Sequence, residues 1–388
     1  MRIEKAQRLK KLPPYLFAEI DKAKRKAQGQ GRDIIDLGVG DPDQPTPTPI
    51  IEKLYQAAKD PNNHHYALDF GMGSLREAIA KWYQQRFDVA LDPDTEILPL
   101  IGSKEGLAHL PLGLINPGDV ALIPEPCYPP YRSATIFAEG EPVNLPLMED
   151  NGFLPQFDKI DSGKLAKAKL LFLNYPNNPT SATVDQGFFA QAVDFAARHN
   201  ILIAQDAAYS EITFDGYQAP SILQLSGAKD LAVEFHSLSK TYNMTGWRVG
   251  WVCGNSEIIA HLSQVKANID SGIFQAIQLA AIEALNMGPQ KLHDLINLYQ
   301  QRRDVFCQAL NGLGWKVKQP TATFYIWTKL PKGFTDSIKF AKVLLEQADV
   351  VVTPGVGFGP SGAGYARMTL TVSKERLLEA AARIKKVI

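Results

Sequence analysis

The chain has 388 residues, of which 45% are hydrophobic and 21% are charged, proportions typical of a soluble globular protein with a large core. Lysine plus arginine and aspartate plus glutamate both total 41, so the overall charge gives no reason to expect nucleic acid or an anionic membrane as a partner. The sequence has no signal-type apolar segment after Met1 and no apolar run long enough to span a bilayer. Three scattered cysteines are typical of free thiols in a reducing compartment, so we expect a cytoplasmic protein.

The first third of the chain leads into an alternation of strands and helices. The pattern predicts a helix over residues 15–28, a short strand over 34–37 and a glycine-containing loop over 38–42. From residue 96 onward, β-type runs alternate with helical runs, and the predicted strands are 96–101, 120–123, 170–173, 201–204, 231–235 and 247–252. This alternation indicates an α/β fold with a mostly parallel sheet covered by helices on both faces.

The last third predicts a second and smaller α/β unit. Long helical runs over 274–285 and 290–310 precede it, and its predicted strands are 324–328, 350–353 and 367–372. We expect the N-terminal arm to pack on this unit. The predicted domains are therefore residues 1–45 for the arm and part of the small domain, 46–285 for the large domain, and 286–388 for the small domain.

Polar and aromatic side chains follow the predicted strands where each strand ends. They are Ser103 and Lys104, Tyr128, Asn178, Asp206 with Tyr209, and Lys240. Ligands of open α/β sheets bind at the carboxyl ends of the strands, so shared placement at that edge predicts one common site.

Lys240 lies in the segment SLSKTYNMTGWRVG, residues 237–250, which we predict to be a loop between two strands. Ser237, Ser239 and Arg248 are donors suited to a phosphate dianion, which a guanidinium binds in bidentate fashion. A lysine beside a phosphate site suggests a Schiff base to a phosphorylated aldehyde, and pyridoxal 5'-phosphate is the common case. No metal site is expected.

Pyridoxal chemistry assigns a role to each polar cluster. Lys240 would be the catalytic base, and Asp206 would pair with the pyridine nitrogen. Tyr128 would lie on the ring face, while Asn178 and Tyr209 would hydrogen-bond the 3-oxygen of the cofactor. The backbone N–H groups of Ser103 and Lys104, at a predicted helix start, would meet the phosphate.

The chain resembles the class I/II aminotransferases of fold type I along nearly its whole length. The segments that carry the resemblance are LGVGDP at 37–42, Tyr66 with Gly73, NNPT at 177–180, Asp206 with Tyr209, the Lys240 segment, and YARMT at 365–369. The resemblance implies a seven-stranded central sheet and a homodimer with shared active sites, in which Tyr66 reaches the phosphate of the neighbouring subunit. It also implies that Arg367 binds the substrate α-carboxylate.

A finer resemblance is to the LL-diaminopimelate aminotransferases. It rests on KLPPYLFAEI at 11–20, GDPDQPTP at 40–47 and GSKEG at 102–106. It implies substrate contacts by Tyr15, Gly40 and Lys104, besides Tyr128 and Asn178. Lys104 and Glu105 together would offer a donor and an acceptor to the distal ammonium and carboxylate of diaminopimelate. The alternatives are that either charge is a solvated surface residue and that Glu105 simply favours the start of the predicted helix. We therefore expect amino transfer from LL-diaminopimelate to 2-oxoglutarate, a step of lysine biosynthesis.

Three alternatives remain at this point. An aspartate or broad-specificity aminotransferase would share the scaffold, and a pyridoxal-dependent lyase would share Lys240 and Arg367. A non-enzymatic regulator that uses the fold as a ligand sensor is disfavoured, because the arm before Gly38 is short and has no helix-turn-helix pattern.

Overall fold

The computed structural model describes residues 3–13, 16–67 and 70–388. Its strands are β1 (Ile35–Asp36), β2 (Ile97–Leu100), β3 (Val120–Glu125), β4 (Glu141–Pro146), β5 (Ala168–Asn174), β6 (Leu202–Asp206), β7 (Ala232–Ser237), β8 (Gly250–Gly254), β9 (Tyr325–Lys329), β10 (Val350–Val351), β11 (Thr353–Pro354) and β12 (Tyr365–Thr369). Its helices are α1 (Gln7–Lys10), α2 (Leu16–Gly29), α3 (Thr48–Ala58), α4 (Gly73–Phe87), α5 (Ser103–Leu114), α6 (Pro130–Phe137), α7 (Ser162–Leu165), α8 (Gln186–His199), α9 (Leu238–Thr241), α10 (Ser256–Ala267), α11 (Gln275–Leu285), α12 (Pro289–Gly312), α13 (Ser337–Ala348) and α14 (Lys374–Ile384).

The central sheet has seven strands in the order β2-β8-β7-β6-β5-β3-β4. Strand β8 runs antiparallel to both β7 and β2, and the other neighbouring pairs are parallel. The predicted mostly parallel sheet is thereby confirmed. Strands β3, β6 and β7 are almost wholly buried, as expected for strands covered by helices on both faces.

A second unit combines the N-terminal arm with the C-terminal part of the chain. Strand β1 pairs in parallel with β10, and β11, β12 and β9 form an antiparallel sheet. Ile35 and Leu37 of the arm are buried in the same hydrophobic core as Phe340 and Leu377. This agrees with the expected packing of the arm, and the domain boundaries at 45 and 285 stay a prediction.

Some element bounds differ from the predicted ones for local reasons. The strand predicted over 247–252 begins only at Gly250, because Trp247 closes a 3-10 turn and Arg248 has a left-handed backbone, with φ of 55°. Strand β4 was not predicted, since it lies at the sheet edge and exposes its end residues. In the described ranges, no helix is both long and apolar enough to cross a membrane.

The sheet places the predicted functional residues at one edge. Strands β3, β5, β6 and β7 run parallel, and β2 runs in their direction because both β2 and β7 oppose β8. Their carboxyl ends therefore lie on the same side of the sheet, where the segments containing Ser103, Tyr128, Asn178 and Lys240 begin.

Candidate active site

Lys240 lies in α9, a single helical turn between β7 and β8, where the sequence predicts a loop. The hydroxyl of Ser237 caps this turn by accepting a hydrogen bond from the backbone N–H of Ser239, at 3.2 Å. The Lys240 ammonium donates to the carbonyl of Gly40 at 2.8 Å. Burial lowers the pKa of Lys240 to about 8, although the nearby Asp41 carboxylate opposes this shift. This burial lowers the cost of the neutral amine, the form that can act as nucleophile or base.

Asp206 is the last residue of β6 and is 5% exposed. Its carboxylate accepts hydrogen bonds from the Tyr131 hydroxyl at 2.7 Å and from the backbone N–H of Ala208 at 3.2 Å. Burial raises the pKa of Asp206, and these two donors only partly offset that effect. Because both donors are neutral, the buried carboxylate has no hydrogen-bonded cationic partner in the described part of the chain. Contact with a cationic ligand group, such as a protonated pyridine nitrogen, would therefore stabilise the carboxylate. No local sequence signal marks Tyr131, which lies 75 positions from Asp206 along the chain.

Arg367, on β12, is 4% exposed and bonded inside the chain. Its guanidinium donates to the side-chain oxygen of Asn178 at 2.8 Å and to the carbonyl of Gly38 at 2.7 Å. It lies 4.2 Å from the centre of the Tyr325 ring and 4.7 Å from that of Phe358. Burial lowers the pKa of Arg367. Among the described residues its buried Nε has no hydrogen-bond partner, which suits a further anionic ligand such as a carboxylate.

Asn174 at the end of β5 fixes the segments around this arginine. Its side chain accepts from the backbone N–H of Asn178 at 2.8 Å and donates to the carbonyl of Asp206 at 2.7 Å. The Tyr209 hydroxyl lies 2.8 Å from that of Tyr325. The structure thus brings Asn178, Asp206 and Arg367 into one hydrogen-bonded assembly, and Asn174 was missed because its role depends on strand pairing.

Tyr128 follows β3 and is half-buried, with its ring edge-on to Tyr131 at 5.8 Å between centres. Tyr131 in turn donates to Asp206. A ring stacked on a cofactor needs one open face and firm lateral support, and Tyr131 supplies such support.

The N-terminus of α5 and Arg248 form a second part of the site. Gly102 precedes this helix with φ of 73°, and a Cβ there would overlap the Arg248 guanidinium. A Cβ on Gly250 would lie 3.0 Å from the backbone nitrogen of Ser103. The guanidinium also approaches the Ser239 hydroxyl at 3.4 Å. These glycines let a cation and a helix N-terminus converge, an arrangement that fits a phosphate dianion.

Three predicted residues lie at the surface of the single chain. Tyr66 is 79% exposed, and Lys104 and Arg248 are also exposed. Tyr15 lies outside the described residues. Gly40 is placed beside Lys240, as its carbonyl contact shows.

Glu105 does not have the role predicted for it. Its carboxylate accepts from the backbone N–H of Ile101 at 3.1 Å, from His109 at 2.9 Å and from Lys266 at 3.3 Å. Lys266 is only 1% exposed. Glu105 therefore holds the start of α5 to α10, contrary to the prediction that it faces a substrate beside Lys104. The sequence could not show this, because Lys266 is far away along the chain.

The fold and the lysine-centred site fit an aminotransferase. The chain matches the family model of aminotransferase class I and II over residues 32–384, and it belongs to that family. It is 50% identical over 387 residues to a protein of Moorella thermoacetica named LL-diaminopimelate aminotransferase, covering 100% of this chain and 99% of that protein. It is 52% identical over 382 residues to the protein of the same name from Aquifex aeolicus, covering 98% of each. The substrate-bound structure of BacF from Bacillus subtilis is similar, with a TM-score of 0.96, 40% identity, and coverage of 100% of this chain and 98% of that chain.

Proposed function

We propose that the protein is a pyridoxal 5'-phosphate-dependent aminotransferase that transfers the amino group of LL-diaminopimelate to 2-oxoglutarate in lysine biosynthesis. One observation supports pyridoxal phosphate as the cofactor. A lysine of lowered pKa, a buried aspartate and a phosphate cradle, formed by Arg248 and the N-terminus of α5, converge at one edge of the sheet. When bound, pyridoxal phosphate supplies an electron sink that weakens the Cα–H bond of an amino acid.

The roles of the side chains follow from their surroundings. Lys240 binds the cofactor and moves the proton at the substrate Cα, since its depressed pKa makes the neutral amine accessible. Asp206 pairs with the pyridine nitrogen. Arg367 binds the α-carboxylate, to which it is suited because its Nε has no hydrogen-bond partner among the described residues and its guanidinium is supported by the Tyr325 ring.

The remaining residues hold the cofactor. Asn178 and Tyr209 would hold its 3-oxygen, and Tyr128 would support its ring. Ser237, Ser239, Arg248 and the N-terminus of α5, including Ser103 and Lys104, hold its phosphate. Tyr15, Gly40 and Lys104 contact the substrate.

The quaternary part of the proposal is a homodimer in which Tyr66 contributes to the neighbouring site. Its 79% exposure in one chain leaves it available for such a contact. We also propose a cytoplasmic location, with which three free, buried cysteines are consistent.

The substrate assignment is supported by relatives of 50% and 52% identity over nearly full length that carry that name. Lys104 adds a cation at the start of α5, next to the cradle. The rival is an aspartate or broad-specificity aminotransferase. Both functions would use Arg367 to bind the substrate α-carboxylate. Recognition of the distal end of the substrate must therefore distinguish them.

The deciding experiment compares amino donors with 2-oxoglutarate as acceptor. We expect kcat/KM for LL-diaminopimelate to exceed that for aspartate, because a site whose polar groups match the distal ammonium and carboxylate rejects donors that leave those groups unpaired. Lys104→Ala should lower this ratio. Lys169→Ala is the matched control, since Lys169 is an exposed lysine at the amino end of β5, away from the site edge. A higher kcat/KM for aspartate in the unmutated enzyme would establish the rival.

A further inference from the structure

Tyr325 lies between groups that the proposed function assigns to different tasks. Its hydroxyl is 2.8 Å from the hydroxyl of Tyr209. A Cβ on Gly40 would overlap that same Tyr325 hydroxyl, so the Gly40 backbone passes directly against it. The Gly40 carbonyl in turn accepts from Lys240 at 2.8 Å. One phenol thus touches both Tyr209 and the Gly40 backbone, whose carbonyl accepts from Lys240.

The ring of Tyr325 supports Arg367. The guanidinium lies 4.2 Å from the ring centre, within the range of a cation–π contact. The Tyr325 backbone is tied on both sides, because its carbonyl accepts from Ser181 at 2.8 Å and its N–H donates to Thr323 at 3.0 Å. The residue is 3% exposed. Its phenol is therefore held in one place.

We propose that Tyr325 is a positioning residue that orients the Tyr209 hydroxyl toward the cofactor 3-oxygen while its ring supports Arg367 for the substrate carboxylate. This inference rests on the proposed function.

The hydroxyl pair carries two hydrogens, of which only one lies between the two oxygens. When Tyr325 donates to the oxygen of Tyr209, the hydrogen of Tyr209 is free to point elsewhere. Burial raises the pKa of both phenols, so both keep their hydrogens at ordinary pH. The Tyr209 hydrogen is then available to the 3-oxygen of the cofactor.

The readout that isolates this effect is a pH titration of visible absorption. A hydroxyl that donates to the 3-oxygen of the cofactor favours the deprotonated form of the lysine-bound cofactor. Losing that donation therefore raises the midpoint, which is the pH at which half of the lysine-bound cofactor is deprotonated. A purely structural role of Tyr325 would lower stability without moving this midpoint.

The test is Tyr325→Phe in the cofactor-loaded enzyme. The variant keeps the ring beneath Arg367 and loses the hydroxyl. We expect the midpoint to rise by about half a unit to one unit and kcat to fall by about 3- to 10-fold, the scale of one neutral hydrogen bond. KM for the amino donor should stay within about twofold, because the ring still supports Arg367.

The matched control is Tyr299→Phe. Tyr299 is fully buried in the same core, 5.4 Å from Phe324, and its hydroxyl has no hydrogen-bond partner among the described residues. Removing that hydroxyl should leave the midpoint and kcat unchanged. A midpoint shift as large as that of Tyr325→Phe would mean that any lost core phenol has this effect, and would overturn the proposal.

A double variant makes the test specific to the Tyr209–Tyr325 pair. Tyr209→Phe should raise the midpoint more than Tyr325→Phe does, and adding Tyr325→Phe to it should raise it no further. If Tyr325→Phe does not fold, Gly40→Ala, which displaces the Tyr325 hydroxyl, should shift the midpoint in the same direction.

Two results would count against different parts of the account. If Tyr325→Phe leaves the midpoint unchanged while Tyr209→Phe raises it, the positioning role alone is refuted. If Tyr325→Phe does not fold, an unchanged midpoint in Gly40→Ala beside a raised one in Tyr209→Phe leads to the same conclusion. Failure of the unmutated protein to bind pyridoxal phosphate at Lys240 refutes the proposed function itself.

Discussion

The interior of the candidate site and its outer rim are built differently. Asp206, Asn178 and Arg367 are each at most 5% exposed, and each is hydrogen-bonded to other parts of the same chain. Tyr66, at the rim, is 79% exposed, and Lys104 is exposed as well. One chain therefore determines the geometry of the interior by its own packing. The rim is exposed, and we propose that a second copy of the chain completes it.

Strand register explains the order of the interior. Asn174 of β5 is the register partner of Asp206 of β6, and Asp206 is the partner of Phe235 of β7. Consecutive parallel strands thus end together and place Asn178, Asp206 and Lys240 within one cluster. Tyr66 lies outside the strands, and Lys104 follows β2, an edge strand that is paired with the antiparallel β8.

Substitutions in the interior of the site should have the largest effects on kcat. Asp206→Asn keeps the size of the side chain but cannot stabilise a pyridinium charge. We expect kcat to fall by about 10²- to 10³-fold, the scale of losing one preorganised electrostatic contact. The melting temperature of the cofactor-free protein should not fall, because the substitution removes a buried charge whose pKa burial raises.

Steady-state kinetics of the cofactor-loaded enzyme and thermal unfolding of its cofactor-free form check this prediction. Asp194→Asn is a control at an exposed aspartate on α8. A loss of stability in Asp206→Asn with nearly normal kcat would assign Asp206 a structural role.

Rim changes should instead be rescued by a second chain. Lys240→Ala and Tyr66→Ala homodimers should both be impaired. A hybrid dimer, isolated through two different affinity tags, has one site with both native residues, so about half of its sites should be active by two-fold symmetry. Tagged dimers of two Lys240→Ala chains are the control and should show no recovery. If the hybrid is no more active than its parents, Tyr66 does not act across an interface.

Much of this site could be predicted from local sequence. Lys240, Asp206 and Asn178 follow apolar runs at the ends of strands, and the structure places them at one edge. Local patterns identify such residues because a strand and the polar residue after it are adjacent in the chain.

Contacts between distant segments could not be predicted in that way. Tyr325 meets Tyr209 across 116 positions, and Lys266 reaches Glu105 across 161. The prediction for Glu105 was wrong for this reason. Glu105 follows the end of a strand, as the site residues do, but its partner Lys266 is distant in the sequence. Strand β4 was missed since an edge strand needs no continuous apolar run.

The most direct test of the central claim is chemical trapping of the cofactor. The unmutated protein is loaded with pyridoxal phosphate, reduced with borohydride and digested, and the modified lysine is located by mass spectrometry. We predict one modified lysine per chain, Lys240, and no specific modification in Lys240→Ala. Modification spread over surface lysines such as Lys169, with Lys240 unmodified, would contradict the account.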